Sequence, residues 1–348
     1  MKKTFLLLIL LSFAGIMAYS QDTILAKGVD DQKAEKLYNE GITLFDKQNY
    51  KEALVKFNEA ITLKPEFEKA YYNRGSVKYE MNNYTGAIAD FNKSIELNPA
   101  NEKSYFSRGR AKYAMDDKTG AISDYTKAIE LNYSYPQAFY YRGGIYFENG
   151  EYKKAIDDFT IAIKLKPDYA YAYNDRGSAK KMLENYKGAK EDYKQAVKLN
   201  PNLAFAFNNL GSVEKKLEEY KSAIDDFTAA IKIDPDSYLA YNNRGAVKFE
   251  MEDYAGAIED YTQAIKLKSD YAYAYNNRGN AKYKQKDYKG AVADYTQAIK
   301  LNADYGYAYL NRGIAKEMLR DAKGACDDWK KATALGINSA EAYYKNCN

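Results

Sequence analysis

Histidine is missing from the whole chain of 348 residues. Its absence removes every mechanism that uses imidazole as general base, proton relay or metal ligand, and most hydrolase and metalloenzyme sites go with it. No enzyme activity, metal site or cofactor is expected. Cysteine is almost as scarce, with only Cys326 and Cys347, both close to the C-terminus. An excess of charge of one sign is also lacking: 52 basic against 48 acidic residues leave a formal charge of +4. That balance is too even to point to a nucleic-acid backbone or an anionic membrane as partner.

Long apolar runs are confined to one place. Phe5 to Ala18 follows Lys2 and Lys3, and Ala18-Tyr19-Ser20 then offers small residues for cleavage before the polar Gln21-Asp22. A spanning helix needs roughly 20 apolar residues, so residues 1–20 are expected to be a secretory signal peptide of the short bacterial type. The mature chain would begin near Gln21, carry no membrane span and reside in the periplasm or outside the cell; the alternative for the same residues is an uncleaved anchor. Residues 21–33 are expected to be a linker.

From Ala34 to Ser339 the chain repeats itself every 34 residues without an insertion, giving nine copies that begin at Ala34, Glu68, Glu102, Pro136, Ala170, Ala204, Tyr238, Ala272 and Gly306. Position eight is glycine in all nine, from Gly41 to Gly313, and position twenty is alanine in all nine, from Ala53 to Ala325. A glycine inside a helix costs about 1 kcal/mol against alanine, so its retention predicts two helices in close approach. Position sixteen is Asn or Asp in seven copies, suiting the N-cap of a second helix. Apolar residues at helical spacing follow, as at Ala291, Val292, Tyr295, Ala298 and Ile299. Five of the six prolines, Pro65, Pro99, Pro167, Pro201 and Pro235, fall at position thirty-two, beyond the end of that helix. Residues 340–348 repeat the start of a first helix and stop, as a capping helix would.

Tyr173, Gly177, Ala189, Tyr193, Ala196 and Pro201 of copy five stand where the tetratricopeptide repeat wants its aromatic, small and proline residues. The chain resembles that family over the repeated region. The resemblance implies an all-α, right-handed superhelical solenoid of nine helix-turn-helix repeats, with a concave face lined by the first helices and a role as a non-enzymatic protein-binding scaffold.

Against that background some positions depart from the family. Seven copies carry arginine at position seven, six carry lysine at eleven and eight carry aspartate at twenty-three, while copy one reverses the signs with Glu40 and Lys56. The reversal predicts salt bridges between the two helices of a copy, partly exposed and worth about 0–1 kcal/mol each. Copy six, with Leu210, Glu214 and Asp226, lacks the cations and is expected to be softer. Cys326 and Cys347 are expected to form a disulfide that ties the last copy to its cap.

The largest share of the 37 tyrosines falls at positions four, seventeen and twenty-four, where burial is expected. Position two faces the groove in the family, which makes Tyr171, Phe205, Leu239, Tyr273 and Tyr307 candidate contacts. Beside them position five holds Asn174, Asn208, Asn242 and Asn276, and position six holds Asn209, Asn243, Asn277 and Asn311. A carboxamide both donates and accepts, so a ladder of them can pair with the backbone of an extended peptide without reading its sequence. The ladder is similar to the one lining the repeat domain of the O-linked N-acetylglucosamine transferase. The family's clamp for C-terminal carboxylates finds no match, because position five is never lysine and position six never basic. The expected partner is therefore an extended protein segment. A reading from another class, an envelope carbohydrate or polymer held by the groove aromatics, rests on the same exposed rings.

Overall fold

The computed structural model describes residues 27–345 and 347. The expected signal peptide lies outside the described residues. The chain forms two compact units that divide between Lys166 and Pro167, and every described element in both is helical or a short turn.

The first unit holds copies one to four: α1 (residues 27–46) with α2 (Tyr50–Leu63), α3 (Glu68–Glu80) with α4 (Tyr84–Leu97), α5 (Glu102–Ala114) with α6 (Lys118–Leu131), and α7 (Pro136–Glu148) with α8 (Tyr152–Leu165). The second holds copies five to nine: α9 (Ala170–Met182) with α10 (Tyr186–Leu199), α11 (Ala204–Lys216) with α12 (Tyr220–Ile233), α13 (Tyr238–Glu250) with α14 (Tyr254–Leu267), α15 (Ala272–Lys284) with α16 (Tyr288–Leu301), and α17 (Gly306–Met318) with α18 (Ala322–Ala334). A last helix, α19 (Asn338–Tyr344), closes the second unit. The fold class is thus a helical solenoid of helix-turn-helix repeats. Two boundaries differ from the sequence reading. Residues 27–33, expected as linker, already belong to α1, and the cap starts at Asn338 rather than at 340.

Glycine at position eight exists because the aromatic at position twenty-four lies on it. A β-carbon on Gly279 would sit 2.7 Å from Tyr295 Cε1, and one on Gly41 would sit 2.7 Å from Phe57 Cε1, too close for any residue but glycine. The ring then reaches the next copy: Phe57 packs with Ala53 and Val77, Tyr261 with Ala257 and Ala281, Tyr295 with Ala291 and Ala315. Each hydrophobic cluster therefore joins the second helix of one copy to the first helix of its successor, so no hairpin is stable without its neighbour. Position twenty-four buries its ring in every copy, and Phe139 at position four is buried as well; the tyrosines at positions four and seventeen are half-buried, as at Tyr275 and Tyr288.

The turn between the helices is built the same way in each copy. Position fifteen takes a left-handed backbone, at φ 61° in Glu218 and 67° in Lys286, and copy four places Gly150 there. The residue after it caps the second helix: Asn83, Asp117, Asn185, Asp253, Asp287 and Asp321 accept a hydrogen bond from the backbone N–H of the glycine at position nineteen. Asn49 makes no such bond, and its copy has Glu52 in place of that glycine.

The charged positions are far less exposed than expected. In seven copies the arginine at position seven pairs with the aspartate at twenty-three, and those aspartates are only 2–5% exposed. In copy eight Arg278 Nε and Nη2 donate to Asp294 at 2.9 and 2.7 Å, and Lys282 Nζ adds a bond of 2.8 Å. Arg278 Nη1 donates to Thr262 of the preceding copy at 3.1 Å. A buried, bidentate carboxylate of this kind is a structural lock, and stripping its cation would cost about 3–5 kcal/mol rather than the fraction of a surface pair. The sign-reversed pair of copy one, Lys56 to Glu40 at 2.9 Å, does stay near solvent. Copy four has Tyr146 where others have lysine. There burial pushes the Asp158 carboxyl above its ordinary value against the pull of Arg142 alone.

Copy six has no lock. Burial, and then the hydrogen bond and charge of Glu214, push Asp226 up to about 8, so it holds a proton at neutral pH. Glu214 Oε2 stays buried without a partner. Where Asn58, Asn92, Thr126, Thr228, Thr262 and Thr296 receive the arginine of the following copy, the residue ahead of copy six is Lys194, whose charge draws Asp226 partly back.

At the C-terminus Ala340 of α19 packs with Leu310, Ala325 and Trp329. Cys326 and Cys347 are joined by a disulfide across a Cα–Cα distance of 5.8 Å, closing a loop with a sequence separation of 21.

Candidate functional site

The candidate groove residues lie on the first helices of the second unit, where positions two, five, nine and twelve fall on one face at helical spacing. Position two leads the row. Tyr171, Phe205, Leu239, Tyr273 and Tyr307 are between 42% and 58% exposed, although all five are large and apolar in character. Tyr171 and Phe205 approach within 6.0 Å between ring centroids, and Tyr273 lies between Tyr271 and Tyr305 at 5.7 and 5.1 Å. A row of exposed rings interrupted by Leu239, open to solvent, is a surface that another molecule could cover.

The asparagines behave otherwise. Asn174, Asn242 and Asn276 are buried, at 5–7% exposure, and Asn208 is half-buried. Each position-five carboxamide oxygen accepts a bond from the position-six amide of the next copy: Asn209 to Asn174 at 3.0 Å, Asn243 to Asn208 at 3.0 Å, Asn277 to Asn242 at 3.1 Å and Asn311 to Asn276 at 3.1 Å. The ladder expected to hold a peptide is thus first a clasp between repeats. The first unit makes the equivalent diagonal contact with other chemistry: Asn73 Nδ2 donates to Tyr38 at 2.9 Å, Ser107 Oγ donates to Tyr72 at 3.4 Å, and Phe106 meets Tyr141 edge-on at 5.5 Å. Within each unit this diagonal is bridged in every pair of consecutive copies, which explains the position without a ligand. What remains free is on position six. Among the described residues, no protein donor reaches the carboxamide oxygens of Asn209, Asn243, Asn277 or Asn311.

One element of the face was not singled out in the sequence. Phe249, Tyr283, Ile314 and Tyr295 line a cavity of about 230 Å³ together with the polar Asn280 and Asn311 and the cation Lys284. Asn280 Oδ1 receives both Tyr295 Oη at 2.8 Å and Asn311 Nδ2 at 3.1 Å, so its carboxamide is held in place from two sides. Asn280 and Ile314 occupy position nine and Phe249 and Tyr283 position twelve, one and two helical turns beyond position five, and that spacing is the signal that would have found them.

Sequence profiles described as the tetratricopeptide repeat match residues 68–101, 204–237 and 272–305, with further repeat profiles at 41–82, 106–170, 170–203 and 247–286. The chain belongs to the tetratricopeptide-repeat family. No curated protein matches it in sequence. Among solved structures it is similar to the C-terminal part of a TPR repeat-containing protein from Cytophaga hutchinsonii, at 19% identity and a TM-score of 0.57 over 69% of this chain and 98% of that one. It is also similar to pilF of Pseudomonas aeruginosa, at 20% identity and a TM-score of 0.53 over 60% and 95%. YrrB, described as a TPR protein with an unusual peptide-binding site, shares 27% identity at a TM-score of 0.48 over 53% and 95%. The first two likenesses show the tetratricopeptide fold and nothing narrower. Among the described residues no helix is long and apolar enough to cross a membrane.

Proposed function

We propose that this tetratricopeptide-repeat protein is a non-enzymatic scaffold that holds an extended segment of a partner protein along the first-helix face of copies five to nine. The observation that supports it most is the exposed apolar row of Tyr171, Phe205, Leu239, Tyr273 and Tyr307 on the same helices as the cavity at Asn280 and Asn311. Aromatic anchors flanked by a small pocket are what a peptide-binding face requires, the rings supplying apolar contact and the pocket taking one side chain. The position-six asparagines add acceptors for backbone amides of such a segment. Export is part of the same reading, supported by the N-terminal sequence and by a disulfide that suits an oxidising compartment.

Selection of random dodecapeptides by the immobilised full chain tests the function. Selected peptides should lose about tenfold in affinity on Tyr273→Ala, a loss of about 1.4 kcal/mol, with folding intact. A chain that selects no peptide but retains glycans on an array would overturn the reading in favour of an envelope-polymer binder.

A further inference from the structure

The same face carries two lysines that the fold does not use. Lys181 and Lys215 occupy position twelve of copies five and six, the register that Phe249 and Tyr283 fill in copies seven and eight. Both are half-buried, and neither makes an ion pair among the described residues. The contrast with their neighbours is direct. Lys180, one residue earlier, is bonded to Asp192 at 2.7 Å, and Lys248 to Asp260 at 2.8 Å. The cations at position eleven are locked, while those at position twelve of these two copies are left partly dehydrated.

Burial alone lowers the Lys181 ammonium from its ordinary value. It also lowers Lys215, where Lys216 adds to the effect and Glu250 opposes it from outside ion-pair distance. The nearby hydroxyls are already committed: Ser178 Oγ donates to Asn174 O at 3.1 Å and Ser212 Oγ to Asn208 O at 2.7 Å. A half-dehydrated cation without a counter-charge is a net cost to the fold, and an incoming carboxylate turns that cost into attraction.

Resting on the scaffold reading above, we infer that the segment bound in the second unit is acidic at one end, placing Asp or Glu side chains over Lys181 and Lys215, and apolar at the other, placing one side chain in the cavity walled by Phe249, Tyr283 and Ile314. Charge complementarity argues for the acidic end, and Phe249, Tyr283 and Ile314 argue for the apolar one, with Lys284 the one charged residue lining that cavity. Recognition is of internal side chains and so needs no free C-terminus.

Dodecapeptides selected by the immobilised full chain supply the test. The expected result is enrichment of Asp or Glu together with an apolar residue. Synthetic copies should bind equally with free or amidated C-termini and lose at least tenfold in affinity to a Lys181→Glu/Lys215→Glu chain. The Lys181→Met/Lys215→Met chain keeps the apolar stems and should show the same direction if the double glutamate variant folds poorly. Lys198→Glu, on the exposed face of α10, should bind as the parent does. Peptides that require Tyr273 but carry no acidic residue, or that ignore the lysine variants, would overturn this inference and leave the scaffold standing. Failure to select any peptide would overturn both.

Discussion

Removing Asn277 and removing Asn242 must have different costs, because the bond between them joins a half-wet donor to a buried acceptor. Asn277 Nδ2 donates to Asn242 Oδ1 at 3.1 Å, and Asn242 is 7% exposed. Asn277→Ala leaves that oxygen with neither donor nor ready water, a loss of about 1–3 kcal/mol, set against a gain of about 0.5 kcal/mol from putting alanine in a helix. Asn242→Ala instead leaves the Asn277 amide, which can turn to solvent, so the lost bond of about 1 kcal/mol is half repaid by helix propensity. In the double variant the orphaned oxygen is gone, and the pair of alanines should be nearly neutral. The signature is a double variant more stable than Asn277→Ala alone, with a coupling of about 1–2 kcal/mol. Urea unfolding of the oxidised full chain, followed by far-UV circular dichroism at matched slopes, measures it. Additive effects, or an Asn277→Ala chain as stable as the parent, would show that the clasp contributes nothing and return the ladder to a solvated or ligand-facing role.

Three further outcomes follow from the same contacts. Arg278→Leu, which copies the residue of copy six into copy eight, should cost about 3–5 kcal/mol by uncovering buried Asp294, and adding Thr262→Lys should recover part of the loss, as Lys194 does ahead of copy six; equal urea midpoints for all three chains would contradict the lock. Asp226 is pushed up to about 8, far above the ordinary carboxylate value, so its contribution is fully present below about pH 4 and is lost as pH rises through about 8; Asp226→Asn should flatten this part of the stability profile, and an unchanged profile would argue against a protonated Asp226. Reduction or Cys347→Ala should remove about 3 kcal/mol of loop closure and raise hydrogen exchange in α18 and α19 while leaving α9 to α14 unchanged, whereas free thiols in the oxidised chain would rule out the bridge.

The repeat and its hairpins were legible because each is written in a column. Glycine at eight, alanine at twenty and the ring at twenty-four recur at a fixed interval, and their contact is internal to one copy, as between Gly279 and Tyr295. The charged lock was legible in sign but not in depth. Whether Asp294 is buried depends on Thr262 and Arg278 closing over it from two different copies, and no single column reports that.

The asparagine ladder misled for a sharper reason. Its bonds join residues 35 apart, one more than the period, so each runs diagonally from column six to column five of the preceding copy. Aligned copies display two parallel columns of asparagine, which look like two independent rows facing a ligand. Paired along the diagonal, they match partner by partner: tyrosine with asparagine or serine in the first unit, ring against ring at Phe106 and Tyr141, and asparagine with asparagine throughout the second. Copy nine completes the logic. It has no full successor to supply a position-six amide, and its position five is Leu310, buried beside Ala340 of the cap. A column kept for a ligand would have no reason to turn apolar at the last copy; a clasp with no partner left to hold does.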